Sequence, residues 1–154
     1  LVRFATEDIG LADPQAVVQC LAAKDAYDFL GSPEGELAIV QACLYCATAP
    51  KSNAAYMAMK ASFRSARETG SLMPPMNIVN APTKLMKNEG YGAEYHYAHD
   101  FPDAFVDGEN YFPVELRDTR LYEPVERGLE IRIADKLRTL RRKNAESNWK
   151  RYDD

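Results

Sequence analysis

A mostly α fold, a helical bundle carrying one long ordered aromatic-rich loop, is what this sequence predicts. Three observations carry that expectation. Between Asp13 and Gly70 the chain reads as successive helices punctuated by stop signals at Gly31, Pro50 and Gly70. Of the 21 alanines, 14 fall between positions 12 and 66, and side chains that small let helices approach closely. From Tyr91 to Tyr122 the helical period vanishes while eight of the sixteen aromatic residues gather, so that stretch is a loop that wraps the bundle and pins itself with rings.

The elements follow in order. Leu1-Val2-Arg3-Phe4-Ala5 reads like the inside of a helix with no capping residue or initiator Met ahead of it, which predicts a piece cut from a longer chain. Asp13-Pro14 is an N-cap and first-turn pair and Gly31 a terminator, so 14–30 is a predicted helix whose solvated strip carries Lys24, Asp25 and Asp28. Ser32 and Pro33 restart helix at once. From Leu37 to Ala47 only Gln41 is polar, and a helix apolar all round is a buried one, so 33–48 is the predicted central rod. Pro50 stops it. Ser52 then caps a third helix over about 53–69, with Ala54, Ala58 and Ala61 on one side and Lys60, Arg64 and Arg67 on another.

Pro74 and Pro75 force an extended path through 71–80. Residues 83–89 give two helical turns closed by Gly90. Within the aromatic loop, a short β-hairpin is expected to pair part of 94–97 with 119–122. After Gly128, the spacing of Leu129, Ile133, Leu137 and Leu140 predicts an amphipathic basic helix over about 128–149. One domain, 1–154, is the expectation.

Composition excludes several function classes. Three cysteines, Cys20, Cys43 and Cys46, give no disulfide framework and make a reducing cytoplasm the default location. Apolar stretches end well short of the ~20 residues a bilayer span requires, so no membrane partner is expected. Net charge is −4, yet residues 136–151 alone carry +6 and the remainder −10. A phosphate-binding footprint is thereby confined to the last helix, with Arg138, Arg141, Arg142 and Lys143 as the candidate contacts to nucleic acid or a partner.

Motif by motif, catalysis by this chain is not encoded. Lys51-Ser52 resembles the end of a phosphate loop, but Ala47-Thr48-Ala49-Pro50 replaces the glycines whose N–H groups would curl around phosphate. Gly90-Tyr91-Gly92 follows a helix where a dinucleotide site needs a strand. Cys43-x-x-Cys46 lies on the most apolar helix without a second pair, and reads as packing. His96-x-x-His99-Asp100 is the one place where metal-ligand types cluster, yet its spacing is no metal-helix motif and no metal is expected there. No catalytic residue and no cofactor is assigned to this chain. The segment holding Lys84, Lys87, Tyr95, His96, Tyr97, His99 and Asp100 remains a candidate functional loop, because irregular segments carry function more often than cores do. Its rings could stack single-stranded bases, but Glu89, Glu94, Asp100, Asp103, Asp107 and Glu109 crowd the same region and would repel phosphate, so internal packing is the reading.

Several strings, taken together and in order, carry a family resemblance. They are Arg3-Phe4-Ala5 with Glu7-Asp8-Ile9-Gly10, Ala12-Asp13-Pro14, Gly31-Ser32-Pro33-Glu34-Gly35-Glu36-Leu37, and Ala49-Pro50-Lys51-Ser52-Asn53 with Tyr56. They continue through Arg67-Glu68-Thr69-Gly70, Asn80-Ala81-Pro82-Thr83-Lys84-Leu85-Met86-Lys87, Tyr97-Ala98-His99-Asp100, Asn110-Tyr111, and Tyr122-Glu123-Pro124 with Arg127-Gly128-Leu129-Glu130. The chain resembles the C-terminal domain of the replication-associated recombination protein A family (RarA, also called MgsA), AAA+ ATPases related to the Werner helicase-interacting ATPase of eukaryotes. The resemblance implies a helical domain placed after an ATPase core, similar in role to a clamp-loader collar, which joins subunits into a homotetramer. It further implies ATP and Mg bound in the upstream part rather than here, and DNA and single-strand binding protein as partners of the whole protein at stalled forks. The Arg141 to Asp154 extension departs from the family pattern, and the resemblance assigns it no role.

Overall fold

The computed structural model describes residues 1–152. Its helices are α1 (Val2–Phe4), which continues through a π turn at Ala5–Ile9 and a 3-10 turn at Gly10–Ala12, then α2 (Gln15–Leu30), α3 (Glu36–Thr48), α4 (Ala54–Thr69), α5 (Lys84–Asn88) and α6 (Glu130–Glu146). The chain packs as two compact units, one made of Leu1–Ser65 and Arg120–Lys136, the other of Ala66–Thr119 and the chain from Leu137 onward.

In the first unit α2 and α3 form an antiparallel pair whose buried centre is made of small side chains, with Val17, Ala38, Ile39 and Tyr45 packed against it. Ala16, Cys20 and Ala23 of α2 meet Ala42, Cys46 and Ala49 from and just beyond α3, with Ala5 and Ile9 closing one side. The two thiols touch, Cys20 Sγ lying 3.4 Å from Cys46 Sγ, and burial, then its hydrogen bond to Cys20, pushes the Cys46 thiol up and away from the reactive thiolate. Cys43 is exposed. It stays outside the buried contact, and the packing role belongs to Cys20 and Cys46.

Asp13 does more than start α2. One carboxylate oxygen accepts from the Gln15 N–H (3.1 Å) and the other from the Tyr45 hydroxyl (2.8 Å), so one acid both caps α2 and fixes α3 against it. Ser52 caps α4 as expected, its Oγ accepting from the Ala54 N–H (3.2 Å). Gly128 lets the 120–136 segment close on the first turn: the Leu129 N–H reaches Ala12 O at 2.8 Å. At φ +55° a Cβ on Gly128 would stand 2.1 Å from that same oxygen, which only glycine avoids. Beside it Glu130, wholly buried, accepts from the Tyr122 hydroxyl (2.6 Å) and the Val125 N–H (3.2 Å).

The second unit is irregular. Its 3-10 turns lie at Met76–Ile78, Ala98–Asp100, Pro102–Ala104 and Val114–Leu116, and α5 is capped by Thr83 Oγ1, which accepts from the Met86 N–H at 3.2 Å.

Three expectations are corrected. No strand occurs among the described residues, so the hairpin between 94–97 and 119–122 does not form. Glu94 sits at φ 56°, which breaks an extended run, and the Thr119 N–H stays local on Leu116 O at 2.8 Å. The last helix ends at Glu146, not near 149, because Ser147 to Tyr152 turn back onto the aromatic loop. Finally, α3 starts at Glu36 rather than at 33, and it is not buried all round. Only Ala42 and Cys46 of that helix are fully buried, whereas Leu37 is 72% and Leu44 63% exposed.

Candidate functional site

Two surfaces stand out, one in each unit. On the first, large apolar side chains are exposed along α3 and at the end of α2. Leu37, Val40 and Leu44 recur at i, i+3 and i+7 and so form one stripe along α3, while Phe29 (89% exposed) and Leu30 project from the end of α2. A stripe of this kind has the pattern of a core face with nothing on it. Scattered exposed apolar residues are ordinary, but a contiguous run on one helix pair marks a surface for contact.

On the second unit the aromatic loop is held by the C-terminal segment. The guanidinium of Arg151 grips both oxygens of Glu109, Nε to Oε1 and Nη2 to Oε2, each at 2.7 Å. Both side chains are sequestered, Arg151 at 9% and Glu109 at 3% exposure. Nη2 also donates to Glu94 O (2.8 Å), and the guanidinium lies 4.9 Å from the centroid of the Trp149 ring. The Trp149 ring in turn meets His96 edge-on at 4.7 Å. Backbone closes the clasp: the Arg151 N–H donates to Gly108 O (3.0 Å), the Gly108 N–H to Asn144 Oδ1 (2.9 Å), and the Tyr152 hydroxyl to Phe112 O (2.6 Å). Burial alone would push the Glu109 carboxyl up. The Arg151 hydrogen bonds, the Asn110 N–H and the Arg151 charge outweigh it and hold Glu109 below the usual carboxylate range.

The residues singled out in the sequence are thus distributed unevenly. Lys84, Lys87, Tyr95, Tyr97, His99 and Asp100 are exposed. His99 packs on the Tyr97 ring at 5.1 Å, whereas His96 is half-buried between Trp149 and Phe101, with Nδ1 3.3 Å from Glu109 Oε2. The two histidines do not converge, and no group of three His, Cys, Asp or Glu side chains among the described residues could hold a metal ion. Of the basic helix, Lys143 is drawn into an ion pair with Asp103 (2.9 Å). Arg138, Arg141 and Arg142 share one face at i, i+3 and i+4, with Arg138 and Arg142 exposed and Arg141 partly so. Arg151, counted in the basic tail, is spent on Glu109. Sequence reasoning missed Glu109, Arg151 and Trp149 as a unit, since partners 42 residues apart share no period.

No helix among the described residues is long and apolar enough to cross a membrane. The family model described as "MgsA AAA+ ATPase C terminal" matches residues 1–141. Two relatives called "Replication-associated recombination protein A" are similar over nearly the whole chain. That of Haemophilus influenzae is 49% identical over 99% of this chain and 34% of its own length. That of Escherichia coli K12 is 51% identical over 98% of this chain and 34% of its own. "ATPase WRNIP1" of Dictyostelium discoideum is 39% identical over 80% of this chain and 14% of its own length. The chain therefore spans about a third of the length of the bacterial relatives it matches.

Proposed function

The chain belongs to the MgsA AAA+ ATPase C-terminal family, and from that premise we propose that it is the part through which a DNA-dependent AAA+ ATPase of replication-associated recombination holds its subunits together. ATP and Mg belong, on this reading, to the ATPase part outside this chain, whose own role is assembly into a homotetramer rather than catalysis. DNA and single-strand binding protein are partners of the whole protein.

The observation that carries the proposal is the uncovered stripe of Leu37, Val40 and Leu44 with Phe29 and Leu30. Covering those five partly exposed side chains is worth roughly 5–10 kcal/mol at 1.5–3 kcal/mol per fully buried side chain. Association costs about 4–15 kcal/mol in lost freedom. One such face alone is marginal, which suits a ring in which every subunit contributes more than one contact. Sedimentation equilibrium of the 154-residue chain tests it: self-association is expected at tens of micromolar, and a strict monomer there refutes the proposal.

A second reading, a nucleic-acid or partner contact through the basic last helix, is favoured by the shared face of Arg138, Arg141 and Arg142. Lys143 contributes less than its charge suggests because Asp103 already holds it. Its signature is salt dependence: binding to gapped duplex that falls steeply as salt rises and is lost on charge reversal of these four residues.

A further inference from the structure

We propose that the aromatic cup formed by His96, Phe101, Phe105 and Trp149 receives an arginine side chain of a protein partner, a reading independent of the assembly role. The cup lies wholly within the second unit, has a volume of about 330 Å³, and counts Val106, Asp107 and Lys143 in its wall. That volume is at the small end of ligand sites and suits one long side chain. The rings stand close together: His96 meets Phe101 at 5.5 Å and Trp149 at 4.7 Å between centroids. Phe101 and Trp149 nevertheless remain exposed. Rings left open around one cavity form a surface that a second molecule can complete.

Charge selects the occupant. The Lys143 ammonium is already bonded to Asp103 at 2.9 Å, and the Asp107 charge acts on it as well. Asp107 is exposed, and it is its backbone oxygen, not its carboxylate, that accepts from the Ser147 hydroxyl. Around the cup, Asn88 to Leu116 carry seven acids and no lysine or arginine; Arg151 and Lys143 pair with only three of the seven. An anion would find its one cation engaged and acids beside it. A cation finds a carboxylate to meet and ring faces that are themselves negative. Among cations arginine matches best: its apolar stem covers ring surface, its planar guanidinium stacks on rings, and its fork fits both oxygens of one carboxylate. The Trp149 ring already accepts one guanidinium, that of Arg151 at 4.9 Å from its centroid, and Glu109 neutralises that charge.

The test uses the ¹⁵N-labelled 154-residue chain and follows the indole N–H resonance of Trp149, its single tryptophan. At constant ionic strength, N-acetyl-arginine methylamide is expected to move that resonance along a saturating curve. The corresponding citrulline compound, the same shape without the charge, should bind about two- to fivefold more weakly, the scale of one exposed cation–π contact. Asp107→Asn should weaken arginine binding by about two- to fivefold, the scale of one exposed ion pair, and leave citrulline unaffected. Asp107 is exposed, so far-UV circular dichroism should not change; if it does, the comparison of arginine with citrulline on the wild type decides. Tetramethylammonium separates a site for free quaternary amines from one for a side chain, and N-acetyl-phenylalanine offers its carboxylate to Lys143. Tighter binding of either than of arginine, equal binding of arginine and citrulline, an Asp107→Asn variant that folds and binds arginine like wild type, or an indole resonance that no probe moves would each overturn the proposal.

Discussion

Replacing Arg151 with methionine removes the cation from a carboxylate that is 3% exposed, and the consequence can be worked from the clasp itself. Glu109 keeps the Asn110 N–H at 3.0 Å but loses two hydrogen bonds of 2.7 Å and its only guanidinium. Breaking a buried pair by removing one partner costs about 3–5 kcal/mol, most of it the penalty of stranding the other charge. The Glu94 carboxylate adds little to this figure because it is largely exposed. With a urea slope of ~2 kcal/mol/M, the transition of the second unit should fall by about 2 M. The assay is specific, since Trp149 is the single tryptophan and rests on both the guanidinium and His96. Its emission should shift to the red and its unfolding midpoint drop. The double variant Arg151→Met with Glu109→Gln should recover part of the loss, because the stranded charge is gone. An unchanged midpoint, or a double variant no better than the single, would refute the reasoning.

The same pair sets a pH dependence. Glu109 is held below its unfolded value, near 4.3, so its contribution is fully present above that pH. It is lost as pH falls through the lower folded value. Trp149 emission should therefore shift to the red in acid in the wild type. In Arg151→Met the influence left largest on Glu109 is burial, so the shift should move to higher pH.

Gly108→Ala should open the clasp by another route: at φ +87° its Cβ would stand 1.8 Å from Trp149 O, and a loss of at least ~2 kcal/mol in the Trp149-detected transition is expected. Tyr122→Phe removes the hydroxyl that donates to buried Glu130 at 2.6 Å, which should cost about 1–3 kcal/mol in a thermal melt followed by far-UV circular dichroism. Because Tyr122 belongs to the first unit, Trp149 emission in the native state should not change. Leu37→Glu with Leu44→Glu should leave helicity intact and abolish self-association by sedimentation; dimers or tetramers surviving it would remove the stripe from the interface.

What could be read in advance was local. Asp13, Ser52 and the glycines at 31 and 70 act within a few residues of themselves, so the bounds of α2 and α4 follow from them to within a residue or two. Thr83 and Gly90 likewise bracket α5. The clasp was invisible for the opposite reason. Arg151 looks like one more base of a basic tail and Glu109 like one more acid of a crowded loop, and nothing local says that each neutralises the other. The hairpin failed where Glu94 takes a left-handed φ, a conformation that a glutamate does not advertise.

The apolar stripe of α3 lies between these cases. Its composition reads as a rod buried all round, and that expectation fails because periodicity counts the apolar positions of a helix without saying which of them its own chain covers. Inside one chain the fully buried residues of α3 are the small ones, Ala42 and Cys46 against Ala16, Cys20 and Ala23, with Ile39 and Tyr45 packed beside them. The large ones, Leu37, Val40 and Leu44, point elsewhere. That division has a physical logic. Small residues bring two helices of one chain close and give a tight hairpin, while bulky residues left on its outer side reach toward another surface and bury most area per contact. On the assembly proposal, α3 divides its residues between two surfaces, with Ala42 and Cys46 in the contact with α2 and Leu37, Val40 and Leu44 left for a second subunit.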